Sequence, residues 1–179
     1  MIKKDYKLYL DHSGMCMYKT DPDNHIAEAL GLYLALYNVT THHPSNTFYI
    51  YTDSDSVIKY VKPLYFAKDP DPRYKKPFPR WYLKDKLTPL QQQVCNIVDL
   101  IHFLENHRYV IKLKVVKSHC NNPYKQIEYQ KQFNENITLE EARYICVGNS
   151  CIDSFLKDIA RDERISDYLI KIDPVPYMK

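Results

Sequence analysis

The chain has no long hydrophobic run, and no apolar segment approaches the length that a membrane-spanning helix needs. Residues 1–7 pass directly into an alternating pattern and lack the apolar core of a signal peptide. The five cysteines are an odd number at irregular spacing, which fits reduced thiols rather than a disulfide framework. Glycine is scarce as well, with three residues. From these absences we expect an intracellular protein, cytoplasmic or nuclear, that is neither secreted nor held in a membrane.

The composition is that of a globular protein, with 45% hydrophobic and 26% charged residues. A length of 179 residues suits one well-packed domain, so we predict a single domain over 1–179. The net charge of +3 is compatible with a nucleic-acid ligand but too small to argue for one.

Hydrophobic periodicity predicts an α/β fold with a mixed sheet. Alternating residues predict strands over 6–10, 15–18, 48–52 and 111–115. Helices are predicted over 26–37, which is apolar nearly all round and should be buried, and over 54–61, 94–104 and 152–159. A loop is expected over 40–47, and the capping-box spacing of Thr138 and Glu141 predicts the start of a short helix.

Residues 62–90 differ in character from the rest of the chain. They hold six of the 11 prolines, so regular structure is not expected to persist there, and basic residues alternate with aromatic ones. Lys75, Lys76 and Trp81 are candidate nucleic-acid contacts, because cations bind phosphates and aromatic rings stack on sugars or bases. A solvated loop whose aromatics pack onto the core explains the composition equally well. Residues 120–147 form a polar insert, and 165–179 a tail.

The most informative pattern is a strand that ends on an acidic residue and turns directly into a helix. Phe48, Ile50 and Thr52 point to one side, whereas Tyr49, Tyr51 and Asp53 point to the other. A carboxylate at a strand end is held rigidly and suits metal binding or acid/base chemistry. The remaining chemistry-bearing candidates in similar local contexts are Asp11, Glu28, His119 and Asp153.

Taken in order, these motifs resemble those of the type 1 ribonuclease H family. The strongest piece is Tyr51-Thr-Asp-Ser54, which has the family's motif unchanged. The other pieces, over about residues 6–160, are similar to the family's in the same order: Leu10-Asp-His-Ser13, Asn24-His-Ile-Ala-Glu-Ala-Leu30, Asn96-Ile-Val-Asp-Leu100, Val116-Lys-Ser-His119 and Gly148-Asn-Ser-Cys-Ile-Asp153. The resemblance implies a ribonuclease H-like fold, a mixed β-sheet flanked by helices.

The resemblance also implies an activity, the hydrolysis of the RNA strand of RNA–DNA hybrids with two Mg²⁺ ions, or Mn²⁺ in their place. By this resemblance Asp11, Glu28, Asp53 and Asp153 are the metal ligands, and His119 assists proton transfer or product release. Substrate contacts near the metals are expected from Ser13, Asn24 and Asn149. The expected partners are the hybrid itself and a replication complex, and the protein is expected to be a monomer without membrane association.

The chain departs from the family's spacing at two places. Only seventeen positions separate Asp11 from Glu28, so the N-terminal hairpin must be short, and thirty-four separate His119 from Asp153, which leaves an insert before the last helix. Two other readings therefore stay open: a non-catalytic nucleic-acid-binding or assembly module, and a nuclease of this fold acting on another substrate such as branched DNA.

Each site residue also has a plain structural explanation. Asp53 could cap the next helix, Glu28 and Asp153 could each favour the first turn of a helix, and Asp11 and His119 could be turn or loop residues. A zinc site is a further alternative that matches no common spacing, with the ligands His119, Cys120, Cys146 and Cys151.

Overall fold

The computed structural model describes residues 24–42, 46–116, 122–132 and 137–161. The described residues form five helices and two strands: α1 (Asn24–His42), β1 (Thr47–Thr52), α2 (Asp55–Ala67), α3 (Pro89–Asn106), β2 (Val110–Val115), α4 (Pro123–Gln132) and α5 (Leu139–Arg161). This confirms the predicted α/β class. The contacts divide the chain into two compact units, one comprising Asp21–Val116 and the other comprising Met1–Thr20 with Lys117–Lys179. The single ribonuclease H-like domain stays a prediction.

The two strands of the first unit form a parallel pair. Thr47 lies opposite Val110, and the register continues to Thr52 opposite Val115. The predicted alternation is confirmed in β1, since Tyr49 and Tyr51 are exposed whereas Ile50 packs against the core. The predicted hairpin strands over 6–10 and 15–18 lie outside the described residues, so the mixed sheet stays a prediction.

Three helices and the inner face of this sheet enclose the core of the first unit. Helix α3 packs against α1, α2 and β2, and α1 also contacts β1. The fully buried side chains of the core come from all three helices and include Leu36, Val57, Val61, Leu64, Val94, Ile97, Val98 and Leu104.

Helix α1 differs from its prediction in length and in burial. It runs to His42, into the residues expected to begin a loop, and it is not buried on all sides. Ala29, Leu32 and Leu36 are buried, but Glu28 and Tyr37 are exposed. Helical geometry places these residues on different faces, so a nearly continuous apolar sequence still leaves one side open to solvent.

Helix α2 continues past the point where prolines were expected to end it. Pro63 lies inside the helix and is exposed, while Leu64 and Ala67 beyond it are buried. A proline in a helix interior costs about 3 kcal/mol. Burial of the following apolar turn offsets that cost, so the helix ends only at Ala67, where the Lys68 amide donates to the Leu64 carbonyl at 3.0 Å.

Residues 68–88 contain turns and irregular backbone, as their proline content predicts. A capping box then starts α3: the Gln91 amide donates to Thr88 Oγ1 at 3.3 Å, and the Thr88 amide donates to Gln91 Oε1 at 3.0 Å. Pro89 occupies the first helical turn, where its missing N–H group costs nothing.

The second unit contains α4 packed against α5. The predicted capping box is confirmed, because the Thr138 amide donates to Glu141 Oε2 at 2.9 Å and the Glu141 amide donates to Thr138 Oγ1 at 3.1 Å. The helix that it begins is not short: it has 23 residues and includes the predicted separate helix over 152–159. Gly148 lies inside this helix. One glycine lowers the stability of a helix by only about 1 kcal/mol, so it does not by itself end a long one. Helix α4 lies in the first part of the insert, before Thr138, where no helix was predicted.

Within the described ranges, no helix combines the length and the apolar character that crossing a bilayer requires.

Candidate active site

The turn from β1 into α2 holds Asp53 at the end of the parallel sheet. Asp53 is exposed, and its carbonyl accepts the amide of Asp55 at 3.0 Å. The amide of Ser54 donates to Thr52 Oγ1 at 3.2 Å, which closes the turn from the strand side. Strand pairing therefore fixes the backbone on one side of Asp53, and the helix start fixes it on the other.

Ser54 is the N-cap of α2, and its side chain is shared between two tasks. The Ser54 Oγ accepts the amide of Val57 at 3.4 Å, which satisfies one of the free donors at the helix start. The same hydroxyl donates a hydrogen bond to Glu28 Oε2 on α1. Ser54 is only 5% exposed, whereas Glu28 is exposed, so the contact is partly buried.

The Glu28–Ser54 hydrogen bond connects one predicted metal ligand to the residue next to another. Glu28 reaches the residue directly after Asp53, although the two acids lie on different elements. In the described part of the chain, neither carboxylate has a basic side chain within ion-pair distance. Asp55, by contrast, pairs with Lys59 at 2.5 Å on an exposed helix face.

The other predicted ligands are not brought to this site by the described residues. Asp11, Ser13 and His119 lie outside them. Asp153 lies in α5, and its side chain is outside the described part. Its predicted place in the first turn of a helix is wrong, because α5 begins at Leu139 and Asp153 lies well inside it. The helix-dipole explanation for this residue fails for the same reason.

The two predicted asparagine contacts lie in different units. Asn24 is exposed and is the first residue of α1, on the same helix as Glu28. Asn149 lies in α5, where its Nδ2 atom is buried and has no hydrogen-bond partner among the described residues.

The residues present fit a hard divalent cation in part. Carboxylate oxygens are the ligands that Mg²⁺ prefers, and Glu28 and Asp53 supply them without a competing cation. Among the described residues, no group of three or more His, Cys, Asp or Glu side chains could hold a metal ion. The described half of the predicted ligand set thus has the right chemistry, and completion of the set stays a prediction. Of the residues of the zinc alternative, Cys146 is buried and Cys151 exposed in α5, whereas His119 and Cys120 lie outside the described residues, so this alternative stays a hypothesis.

The predicted contacts in residues 68–88 have different environments. Lys75 is exposed, and the Lys76 ammonium lies 4.9 Å from the centre of the Phe66 ring. Trp81 is partly buried, packs against the core and meets Tyr60 edge-on, with ring centres 5.7 Å apart. Exposed rings on the same segment, Tyr74 and Phe78, were not singled out from the sequence.

A second polar cluster, also not predicted, joins α2 to α3. Tyr65 Oη donates to Glu105 at 2.9 and 3.0 Å, and the His102 ring stacks on Tyr65 with centres 4.7 Å apart. Burial raises the pKa of Glu105, against the lowering effects of the Tyr65 hydrogen bond and of His102. Burial, with the Glu105 hydrogen bond, also raises the pKa of Tyr65. Tyr65 lies 40 positions from Glu105, so no local sequence signal could have paired the two.

Comparison of the chain with protein-family models, with curated proteins and with solved structures found no match.

Proposed function

We propose that this chain is a metal-dependent endoribonuclease that hydrolyses the RNA strand of RNA–DNA hybrids. The single observation that supports this most is the hydrogen bond from Ser54 to Glu28, which couples one predicted ligand to the residue beside another, Asp53. Carboxylates that lie close together repel each other, and this cost is offset when a divalent ion binds among them. The order of motifs in the sequence adds support that is independent of this geometry.

In the proposed mechanism, the chain's own residues position the ions and the substrate. Glu28, Asp53, Asp11 and Asp153 would hold two Mg²⁺ ions, which supply water activation and stabilise the leaving 3′ oxygen. Ser54 restricts Glu28 to one orientation through its hydrogen bond. The backbone of Asp53 is fixed by the sheet and by the start of α2, so the place from which its carboxylate extends does not depend on a flexible loop.

The test is cleavage of a labelled RNA–DNA hybrid in Mg²⁺. We expect wild-type protein to cut the RNA strand, and Asp53→Asn and Glu28→Gln to lose roughly 100-fold or more in rate. The matched control is Asp55→Asn, two residues along, where the carboxylate is exposed but paired with Lys59. The proposal fails if wild type leaves the hybrid intact, or if Asp53→Asn and Asp55→Asn cut equally fast.

Two further measurements separate the alternatives. Duplex RNA, duplex DNA and branched DNA in the same assay reveal a nuclease with another substrate. A non-catalytic module would show no Mg²⁺ or Mn²⁺ binding by calorimetry that depends on Glu28.

A further inference from the structure

Residues 68–88, called here the aromatic segment, present exposed rings on a well-anchored loop. The Lys76 amide donates to the Phe66 carbonyl at 3.1 Å, and the Asp71 carbonyl accepts the amides of Tyr74 and Lys75 at 3.0 and 3.2 Å. The Lys68 ammonium pairs with Asp99 at 2.6 Å, which ties the start of the segment to α3. These bonds anchor the first part of the segment to α2 and α3, which lowers the cost of ordering it when a ligand binds.

The rings form a series that runs from the core to the surface. Trp81 meets Tyr60, which is partly buried against the core, and also Tyr82, with ring centres 5.7 and 5.9 Å apart. Tyr82 then stacks nearly parallel to Phe78, with centres 5.1 Å apart and an angle of 14°. Phe78 is 38% exposed, so the stack ends on a ring that remains accessible to solvent.

A second ring is still more accessible. Tyr74 is 59% exposed, and the Arg73 guanidinium lies 5.7 Å from the centre of its ring. Arg73 itself is held by Asp71 at 2.6 Å. This arrangement places a fixed cation beside an open aromatic face.

The cations of this segment are mostly uncompensated. Between residues 73 and 86 the sequence has six basic residues and one acidic residue, Asp85. All six basic residues are exposed, and within the described part of the chain five of them have no ion-pair partner: Lys75, Lys76, Arg80, Lys84 and Lys86. Such an arrangement attracts a polyanion most strongly, and this attraction does not depend on the base sequence.

We propose that the aromatic segment binds single-stranded nucleic acid, with unpaired bases stacking on Tyr74 and Phe78 and the phosphates contacting the uncompensated cations. A base in a duplex hides its faces in the helical stack, so an exposed ring gains most from an unpaired base. A protein partner fits less well, because lysine is depleted at protein interfaces. The proposal does not rest on the nuclease activity, since the segment follows the far end of α2, about 20 Å along the helix from Ser54.

The test is fluorescence anisotropy of the full chain with a labelled single-stranded oligothymidylate, in a chelating buffer that prevents cleavage. We expect Tyr74→Ala and Phe78→Leu each to weaken binding about tenfold, because each removes one stacking surface. Phe78→Leu retains apolar volume against Tyr82, which protects the fold. The matched control is Leu83→Ala, which removes a side chain 69% exposed on the same segment and should leave the affinity unchanged.

Salt dependence provides a second, independent readout. For single strands, the logarithm of affinity falls with the logarithm of salt concentration by roughly 0.7 for each neutralised phosphate. The double variant Lys75→Gln with Arg80→Gln should therefore reduce this slope by about 1.4.

Three outcomes would overturn the proposal. The first is that no complex forms with the oligothymidylate, and the second is that the Tyr74→Ala and Leu83→Ala variants bind it equally well. The third is that Tyr74→Ala loses as much affinity for a duplex of the same sequence as for the single strand. Hybrid cleavage, measured separately on the same proteins, distinguishes failure of this proposal from failure of the nuclease. A protein that cuts no hybrid but loses single-strand binding in Tyr74→Ala supports the binding surface and contradicts the nuclease.

Discussion

The hydroxyl of Ser54 donates to the carboxylate of Glu28, and its oxygen accepts a backbone amide at the start of α2. One side chain thus serves both the stability of a helix and the orientation of a candidate metal ligand. Ser56 approaches the same hydroxyl at 3.2 Å, but it neither caps the helix nor contacts Glu28 in the described structure. The two serines therefore form a natural pair of test and control.

Replacing Ser54 should affect stability and activity by separable routes. We expect Ser54→Ala to lower the free energy of unfolding by about 1 kcal/mol through loss of the cap. It should also lower the rate of hybrid cleavage roughly tenfold, because Glu28 loses its fixed orientation. Ser54→Asp keeps a capping oxygen but places a negative charge beside Glu28, so it should retain the stability better than the activity. Urea denaturation measures the change in stability, and the cleavage assay measures the change in activity. Ser56→Ala is the control in both. Full activity in Ser54→Ala would contradict the role of Ser54 in orienting Glu28.

The capping box of α3 should contribute measurably to folding. Thr88→Ala removes the oxygen that accepts the Gln91 amide, and we expect a loss of about 1 kcal/mol. Thr88→Ser retains that oxygen and should stay near wild type. Thermal unfolding of the three proteins checks this, and equal midpoints for the alanine and serine variants would show that the cap is dispensable.

Substitution of Leu104 tests the location of the core. Its side chain is fully buried between the elements of the first unit, so Leu104→Ala should cost about 2–5 kcal/mol. Leu83→Ala makes the same chemical change at a side chain that is 69% exposed, and it should shift stability by less than about 0.5 kcal/mol. Similar urea midpoints for both variants would contradict the packing described for α3.

Glu105 should make stability depend on pH in the acidic range. Burial raises its pKa in the folded chain, so the folded state holds this proton at pH values where the unfolded state has released it. Glu105 therefore contributes to the stability of the fold at pH values below its pKa in the unfolded chain. This contribution is lost as the pH rises through its pKa in the folded chain. Glu105→Gln still accepts from Tyr65 but cannot ionise, so its unfolding free energy should depend less on pH across this window. Urea titrations at several pH values, with the exposed Glu140→Gln as control, check the expected direction.

The sequence predicted those elements whose local pattern and tertiary environment agree. Alternation in β1 and β2 matches a sheet with one buried face, and the spacing of Thr138 and Glu141 matches the observed cap. The candidate site was predicted in the same way, since Asp53 follows a strand that can be recognised from its alternation alone. Glu28 required the family resemblance, because nothing in its helix indicates which residue it meets.

The predictions failed where distant contacts outweighed local preference. Pro63 was expected to break α2, but burial of Leu64 and Ala67 against other elements carries the helix onward. The bond between Tyr65 and Glu105 joins residues forty positions apart, which no local pattern encodes. The hydrogen bond from Ser54 to Glu28 likewise depends on the position of α1. The motif Thr-Asp-Ser by itself indicates only that Ser54 caps α2.

The parallel pairing of β1 and β2 has a consequence for the chain as it leaves the ribosome. Partners such as Tyr49 and Lys112 are 63 positions apart, so β1 is finished long before its neighbour exists. At a synthesis rate of about 5–20 residues per second, the gap lasts several seconds. During that interval the backbone donors and acceptors of Thr47–Thr52 cannot be satisfied by β2. A nascent chain halted before Val110 should therefore be more prone to aggregation and to chaperone capture than one halted after Val116.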